Sequence, residues 1–221
     1  VVISEEGIGL PLFGTPSTHI IKPNITGFPN SVQNEFFCMR LAKKIGLLTP
    51  DVQILNINQE SFYMIERYDR EKQASRMRRL HQEDFCQILN IPPDQKYQNE
   101  GGPSVKDLFD TCMDLQRQGK MKGIERLILL RLVLFNFFVG NGDAHGKNFS
   151  ILYKGSGFQL APCYDILSTL LYYDWHTERM AMKIGSKYKF KDVIFRHFET
   201  MASEMSFPPK ILKRELLKMT Q

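Results

Sequence analysis

Cysteine is scarce in this chain and is not arranged for covalent or metal cross-linking. The sequence has four cysteines in 221 residues, namely Cys38, Cys86, Cys112 and Cys163, and no two of them form a CxxC pair. This spacing argues against a disulfide framework and against a zinc site. No signal sequence is visible at the amino terminus, so we expect reduced structural thiols in a cytoplasmic protein.

A long hydrophobic run is also lacking. The longest apolar stretch covers residues 124–139, and Arg126, Arg131 and Asn136 interrupt it. It is shorter than the ~20 residues that a membrane-spanning helix needs. We therefore predict a buried core helix here and no association with a membrane.

Basic residues outnumber acidic residues only slightly. The chain has 29 Lys and Arg against 24 Asp and Glu, for a net charge of +5 and a pI near 9.0. This balance permits a nucleic-acid or acidic-protein partner, but the near-equal numbers of acids and bases favour a mixed, solvated surface. The 43% apolar content, with 11% aromatic residues, is sufficient for a core and excludes overall disorder.

The first 70 residues predict a β-rich region with one helix. Strands are expected at VVIS, THIIK, VQILNI and SFYMIERY, with a glycine-bearing turn at EEGIGLP and a polar turn at Asn58-Gln59-Glu60. The helix is predicted to begin with a cap at Asn30-Ser31 and to end before Gly46. We predict that the basic stretch DREKQASRMRR, which follows, is mobile.

From His81 onward the pattern becomes mainly helical. We predict a short helix over residues 81–89, a Pro/Gly/Asn-rich loop, and helices over 104–118 and 123–138. A strand pair, FSILY and FQLAP, follows, and amphipathic helix with a break at Pro208-Pro209 begins at about residue 190. The prediction is an α+β fold with a small β-rich lobe over 1–70 and a larger, mainly helical lobe over 71–221. Clefts between lobes commonly hold ligands.

Three polar residues in the second region suggest phosphate chemistry. Asp143 and Asn148 stand in a D-x-x-x-x-N spacing directly after the apolar helix, and Asp165 follows the next strand pair. Phosphoryl transfer needs a carboxylate near the attacking hydroxyl and oxygen ligands for Mg²⁺. The loop also contains three glycines that permit a tight backbone, Gly140, Gly142 and Gly146. The spacing alone is weak, and a solvated turn is the alternative interpretation.

The first 70 residues contain further candidates for binding a nucleotide. Lys22 ends the strand His19–Lys22, where its ammonium can point into a cleft and meet phosphates, although most such lysines are solvated. Glu35 on the predicted helix can pair with Lys22 or be an ordinary surface acid. The segment Glu66–Asp69 lies where the two regions meet, and its backbone groups can bond an adenine edge. On its own this segment is an ordinary strand end.

Several segments in order resemble the HipA-type serine/threonine kinases, the toxin halves of bacterial toxin–antitoxin systems. The matching segments are GTPSTHIIKPN, SVQNEFFCMRLAKKIGL, IERYDR, RLHQEDFCQIL, KYQNEGGPS, GNGDAHGKNFSILY, LAPCYDILST and AMKIGSKYKF. They cover most of the chain. The resemblance implies a bilobal protein-kinase-like fold.

The resemblance also implies roles for individual residues with ATP and Mg²⁺ as cofactors. Asp143 would be the catalytic base, Asn148 and Asp165 would hold Mg²⁺, and Lys22 would contact the α- and β-phosphates. Glu35 would be the partner of Lys22. The remaining implied ATP-binding residues are the hinge Glu66, Arg67 and Tyr68, together with His145, Gly146, Lys147 and Tyr164.

The function implied by the resemblance is that of a toxin kinase. It would transfer the γ-phosphate of Mg-ATP to a protein hydroxyl, on an aminoacyl-tRNA synthetase by family analogy, and so halt translation. The implied partner is a HipB-like helix-turn-helix antitoxin. A small additional antitoxin subunit is a further candidate partner. DNA would be contacted only through the antitoxin.

Two other interpretations stay open. The first is a non-catalytic pseudokinase or corepressor that binds an antitoxin and DNA, for which the basic segment ILKRELLKM offers phosphate contacts. The second is a small-molecule kinase such as an aminoglycoside phosphotransferase, which shares the Asp/Asn/Asp arrangement. The joint presence of Lys22, Asp143, Asn148 and Asp165 favours catalysis.

One element of the family pattern is not seen. Family members carry a phosphate-covering loop, with a serine that can be autophosphorylated, before the first strands matched here. No such segment precedes Val1, and Gly7-Ile8-Gly9 lacks the serine. We expect this loop to belong to an upstream region of the full protein.

Overall fold

The computed structural model describes residues 1–4, 7–12, 14–73, 76–172 and 178–220. Helices and antiparallel strands alternate through these ranges, which confirms the predicted α+β class. The proposed boundary between two lobes near residue 70 stays a prediction.

The first half is organised around a three-stranded antiparallel sheet. Its strands are β3 (His19–Lys22), β4 (Val52–Ile57) and β5 (Glu60–Glu66), in the order β3-β5-β4. Two further strands, β1 (Val2–Ser4) and β2 (Gly7–Gly9), pair with each other. The predicted turn for Gly7–Gly9 is therefore wrong: pairing with β1 outweighs the low strand propensity of glycine. Glu5 and Glu6 lie outside the described residues.

The polar turn between β4 and β5 forms as predicted. Asn58 and Gln59 have φ of 49° and 69°. Two successive residues with positive φ are typical of a tight two-residue hairpin, in which the turn twist matches that of the strands. This turn sets the register of β4 against β5, in which Ile54 lies opposite Tyr63.

Helix α1 (Ser31–Lys44) packs against β4 and β5. Its predicted cap is only partly correct. Asn30 has a left-handed backbone and makes no side-chain cap, whereas Asn24 Oδ1 accepts a hydrogen bond from the Val32 amide at 3.2 Å. At the other end Gly46 follows the helix with φ of 85°, as predicted for a terminating glycine.

The basic stretch after residue 69 is not the mobile segment that the sequence predicted. It forms a hairpin of β6 (Arg70–Gln73) and β7 (Arg76–Arg79), with residues 74–75 outside the described ranges. The Arg70 guanidinium anchors the hairpin by donating to the Ser17 carbonyl at 2.7 Å and to Asp69 at 2.7 Å. Charge composition alone did not reveal these tertiary contacts.

The second half begins with a strand where a helix was predicted. Residues Gln82–Asp84 form β8, and only Phe85–Ile88 form helix α2. Strand β8 pairs with β9 (Ser150–Lys154), which in turn pairs with β10 (Gly157–Leu160). A partner strand almost 70 residues away overrides the local helical pattern, whereas the predicted β9–β10 pair is confirmed.

The larger helices lie where the sequence predicted them. They are α3 (Val105–Arg117), α4 (Ile124–Phe138), α5 (Phe195–Glu204) and α6 (Pro209–Met219). Ser104 caps α3 by accepting from the Asp107 amide, and Pro209 is the first residue of α6. A hairpin of β11 (Arg179–Ile184) and β12 (Lys187–Lys189) was not predicted.

Helix α4 lies at the centre of the core. Leu129, Leu130 and Leu134 are fully buried, and α3 and α6 pack against it. Within the described ranges, no helix combines the length and apolar character needed to cross a membrane. All four cysteine thiols are free and buried, as expected for structural thiols.

Candidate active site

Lys22 connects the first-half sheet to the second half of the chain. Its Nζ lies 2.7 Å from Glu35 Oε1 on α1 and 2.7 Å from Asp165 Oδ1. Burial alone would lower the pKa of Lys22, but the two carboxylates outweigh it and raise that pKa. Lys22 is therefore a fixed cation at neutral pH, with a nearly buried acid on one side and a half-exposed acid on the other.

Asp165 and Asn148 lie side by side. Asn148 Nδ2 donates to Asp165 Oδ2 at 3.1 Å, while Asn148 Oδ1 accepts from the His145 amide at 3.2 Å. Asp165 has φ of 59°, a left-handed conformation that Asp tolerates better than most residues and that is concentrated at functional sites. In this conformation Asp165 Oδ1 accepts from Lys22 and Oδ2 accepts from Asn148.

This pair fits a magnesium ion chemically. Mg²⁺ prefers carboxylate and amide oxygens, and it usually takes one or two carboxylates together with substrate phosphates. Rotation of the Asn148 amide by about 180° exchanges its nitrogen and oxygen, so the same position offers an oxygen beside Asp165. The side chain of Asp165 is 47% exposed and thus accessible to an ion from the cleft.

The loop that leaves α4 is held by a threonine from the segment after Asp165. Thr169 Oγ1 accepts from the Gly142 amide at 2.8 Å and donates to the Gly140 carbonyl at 3.1 Å. Gly140 has φ of 70°, and a Cβ there would lie 2.7 Å from Leu170. The loop backbone is consequently fixed before any ligand binds.

Asp143 projects from this loop with 45% of its side chain exposed. Tyr97 donates its hydroxyl hydrogen bond to Asp143 Oδ1 at 2.5 Å. His145 Nε2 is 3.9 Å from the same oxygen, too far for a hydrogen bond. Burial lowers the pKa of His145 more than the Asp143 carboxylate raises it, so this ring is neutral at physiological pH.

Gly146 is required by close packing. A Cβ at this position would lie 2.3 Å from Pro103 Cγ and 2.9 Å from Cys86 Sγ. The backbone passes directly between these residues, and its amide donates to the Lys96 carbonyl at 3.4 Å. Glycine is needed at this position because Pro103 and Cys86 leave no room for a side chain, and not because of a positive φ, which Gly146 does not have.

A cleft of about 370 Å³ lies beside Lys22 and Asp165, within the range of small-molecule sites. The Tyr68 and Tyr164 rings stack in its wall with centroids 5.9 Å apart. The Tyr164 hydroxyl donates to the Lys147 carbonyl at 2.8 Å, which joins the loop after α4 to the segment that carries Asp165. The residues lining the cleft are Ile20, Lys22, Ile65, Glu66, Arg67, Tyr68, Asp69, Gln82, Tyr164 and Asp165.

Not every residue proposed from the sequence presents its side chain to this cleft. The Arg67 guanidinium bonds both oxygens of Asp69, at 3.0 and 2.8 Å, so it is committed to an ion pair. Asp143 and the residues His145, Gly146, Lys147 and Asn148 are not among those that line the cleft. His145 instead packs edge-on against the Tyr97 ring, on the side of Asp143.

Sequence reasoning missed four residues of the site. Tyr97 contacts Asp143, Gln82 lines the cleft, and Thr169 fixes the loop. Asn34 on α1 exchanges two hydrogen bonds, each 2.9 Å long, with the backbone of Ser168. No local spacing connects these residues. All four lie within segments that resemble the family, but no role was assigned to them.

The fold and the family comparison place this chain among the HipA-type kinases. The model of the HipA-like C-terminal domain matches residues 6–221 of this chain. The chain therefore belongs to the HipA-like C-terminal domain family and is a HipA-type kinase homologue, as its motifs predicted.

Curated relatives agree with this assignment. The chain is 42% identical over 217 residues to the "Putative kinase Y4mE" of Sinorhizobium fredii, covering 98% of this chain and 51% of that protein. It is 29% identical over 214 residues to the serine/threonine-protein kinase toxin HipA of Shewanella oneidensis, covering 93% and 49%. The chain thus spans about half the length of these relatives.

Solved structures support the same fold. The Shewanella oneidensis HipA, solved in complex with HipB and its operator DNA, superposes with a TM-score of 0.82 at 28% identity, over 92% of this chain and 49% of that one. The Helicobacter pylori proinflammatory kinase CtkA superposes with a TM-score of 0.55 at 12% identity, over 91% and 84%. The second likeness concerns the fold alone.

Proposed function

We propose that this chain is the nucleotide-binding and catalytic part of an ATP-dependent serine/threonine protein kinase. It would transfer the γ-phosphate of Mg-ATP to a protein hydroxyl. The observation that carries the proposal is the chain of contacts Glu35–Lys22–Asp165–Asn148, in which Lys22 and Asp165 line one cleft and Asn148 bonds Asp165. Phosphoryl transfer depends on this kind of positioned charge more than on covalent chemistry.

Each residue has a task that its chemistry supports. Lys22 would bind the α- and β-phosphates, with Glu35 holding its ammonium in place. Asn148 and Asp165 would hold Mg²⁺, which when bound neutralises phosphate charge. Asp143 would orient the acceptor hydroxyl and accept its proton.

The adenine end of the cleft would be formed mostly by backbone and rings. The Arg67 side chain is already paired with Asp69, so the backbone of Glu66–Tyr68 is the better candidate for bonding the adenine edge. The Tyr68 and Tyr164 rings provide apolar surface for the base. His145, Gly146 and Lys147 would act at the phosphate and acceptor end through the loop that they form with Asn148.

The biological role that we propose is that of a cytoplasmic toxin. The support is the likeness to a relative named a kinase toxin and to a HipA solved with HipB and operator DNA. A HipB-like helix-turn-helix antitoxin, with or without a small additional subunit, would then be the partner and the contact to DNA. The acceptor would be an aminoacyl-tRNA synthetase, whose phosphorylation halts translation.

The first test is transfer from γ-³²P-ATP to the proteins of a bacterial cell extract by the purified protein. Asp143→Ala should abolish labelling while ATP still raises the melting temperature. The matched control is Asp51→Ala, whose carboxylate is 67% exposed in a surface ion pair, and it should label as the wild type does. Full labelling by Asp143→Ala would contradict the mechanism.

Two further measurements separate the alternatives. Asp165→Ala should remove Mg²⁺-dependent nucleotide binding, and unchanged binding would mean that the metal ligands are wrongly assigned. Growth arrest on expression should disappear with Asp143→Ala. A wild-type protein that binds ATP, labels nothing and still represses its operator with an antitoxin would instead be the non-catalytic corepressor.

A further inference from the structure

The hydroxyl of Tyr97 makes a short contact with the carboxylate that we assign as the base. It donates to Asp143 Oδ1 at 2.5 Å, the distance of a charge-assisted O–H···O⁻ hydrogen bond. Among the described residues, Asp143 Oδ2 accepts no hydrogen bond, and almost half of the side chain is exposed. One oxygen is therefore held and the other is free.

Tyr97 is itself held in place on several sides. Its ring meets the buried His145 ring edge-on at 5.4 Å, and the Lys96 ammonium lies 5.0 Å from its centroid. The Tyr97 carbonyl accepts from the amides of Glu100 and Gly102 at 2.9 and 2.8 Å, closing a tight turn. The phenol thus approaches Asp143 from a folded segment rather than a loose side chain.

The same segment is bound to the active-site loop and to the strand beside it. The Lys96 carbonyl accepts from the Gly146 amide at 3.4 Å, and Gln98 Oε1 accepts from the Lys183 amide at 2.9 Å. A Cβ on Gly102 would lie 2.5 Å from the Gln95 carbonyl, so the turn closes tightly on itself. Residues 95–102 are therefore hydrogen-bonded to the loop that carries Asp143.

The neighbouring histidine cannot supply this contact. His145 Nε2 is 3.9 Å from Asp143 Oδ1, which is too far for a hydrogen bond. The pKa of Tyr97 is raised, first by burial and then by its hydrogen bond to Asp143. The phenol consequently stays protonated, and remains a donor, throughout the physiological range.

We propose that Tyr97 is a positioning residue: its hydroxyl holds Oδ1 of Asp143 so that Oδ2 faces the acceptor hydroxyl. The terminal torsion of an aspartate is broad and nearly two-fold, so an unheld carboxylate samples many orientations. A fixed Oδ1 removes that freedom. This inference rests on the proposed function, because it assigns Oδ2 of Asp143 as the atom that accepts the proton.

The test is Tyr97→Phe, which deletes the hydroxyl and keeps the ring against His145. With the extract protein that labels most strongly as acceptor, kcat should fall about 10- to 100-fold, as expected for a misoriented base. The KM and Kd for ATP should stay within about twofold, because Tyr97 does not line the nucleotide cleft. The control is Tyr153→Phe, which loses a hydroxyl bonded to Glu83 outside the site and should leave kcat unchanged.

A double variant separates this inference from the function itself. If Tyr97 acts through Asp143, then Tyr97→Phe should lower kcat less in an Asp143→Glu background, which retains a carboxylate base and hence measurable transfer, than in the wild type. An unchanged kcat in Tyr97→Phe, with Asp143→Ala inactive, would overturn the role of Tyr97 and leave the kinase intact. A phosphate found on Tyr97 by mass spectrometry after incubation with Mg-ATP would also overturn it, because the phenol would then be an acceptor.

Discussion

Lys22 Nζ lies 2.7 Å from Asp165 Oδ1, although 143 residues separate the two in the chain. The contact joins the end of β3 to the segment that follows β10. Because Lys22 also bonds the nearly buried Glu35, one ammonium links a helix, a strand and the candidate metal ligand. The phosphate-binding and metal-binding parts of the proposed site are therefore positioned by the same cation.

Replacing Lys22 tests this relationship. Lys22→Met should lower phosphoryl transfer about 100-fold or more, because a positioned charge on the phosphates is lost. The initial rate of ³²P transfer at saturating acceptor gives the result. Lys43→Met is the matched control: Lys43 also pairs with an aspartate, Asp51, but on the exposed surface, and its loss should change the rate little. Equal effects of the two changes would contradict a special role for Lys22.

Thr169 offers a second prediction about the loop that carries Asp143. Thr169→Val keeps the shape but leaves the buried Gly142 amide without its acceptor, which costs about 1–3 kcal/mol in the free energy of unfolding. We expect transfer to fall as well, because the loop loses its anchor at Gly140 and Gly142. Urea denaturation and initial rates measure the two effects.

Thr169→Ser is the control for this change, because it retains the hydroxyl. It should recover most of the stability and activity lost in Thr169→Val. If Thr169→Ser is impaired and Thr169→Val is not, the methyl group and not the hydrogen bonds would fix the loop.

The elements that the sequence predicted well are those with local signals. Helix α3 has its Ser104 cap and helix α4 its apolar run, and each begins and ends within a residue or two of the prediction. Strand β8 and the hairpins β6–β7 and β11–β12 were not predicted. Their stability comes from pairing and anchoring contacts, such as Gln82 opposite Leu152, which leave no local pattern.

The same distinction applies to the candidate site. Asp143 and Asn148 were recognised by a spacing within one loop and Lys22 by its place at a strand end, with Glu35 as its possible partner; the family resemblance then implied their roles. Tyr97 lies 46 residues from Asp143 and has no spacing that connects it to that residue. Only the folded backbone brings the phenol to the carboxylate. The catalytic roles themselves stay predictions until the variants are measured.

Gly146 gives a prediction about steric fit. Gly146→Ala would place a Cβ 2.3 Å from Pro103 Cγ, and such overpacking costs about 1–3 kcal/mol. Since Gly146 lies between Asp143 and Asn148, transfer should fall further than stability alone explains. Gly9→Ala is the control, because a Cβ there meets nothing within 4 Å. Thermal melting and transfer rates are the measurements; a fully active Gly146→Ala would show that the loop tolerates displacement.

Glu215 on α6 gives a prediction about pH. It is fully buried and accepts from Arg131 Nε on α4 at 2.8 Å and from Arg214 Nε at 2.9 Å. Burial alone would raise the pKa of Glu215, but these arginines outweigh it and lower that pKa. A carboxyl with a lowered pKa stabilises the fold above its unfolded value of about 4.3, and the contribution is lost as the pH falls through the folded value.

Glu215→Gln should therefore be less stable than the wild type by about 1–3 kcal/mol at pH 7, with the gap closing as the pH falls below about 4. Urea unfolding at a series of pH values measures the difference. Glu199→Gln, on the exposed face of α5, should differ little from the wild type at any of them. A gap for Glu215→Gln that stays constant down to acid pH would mean that shape, and not the charge held by Arg131, fixes α6 against α4.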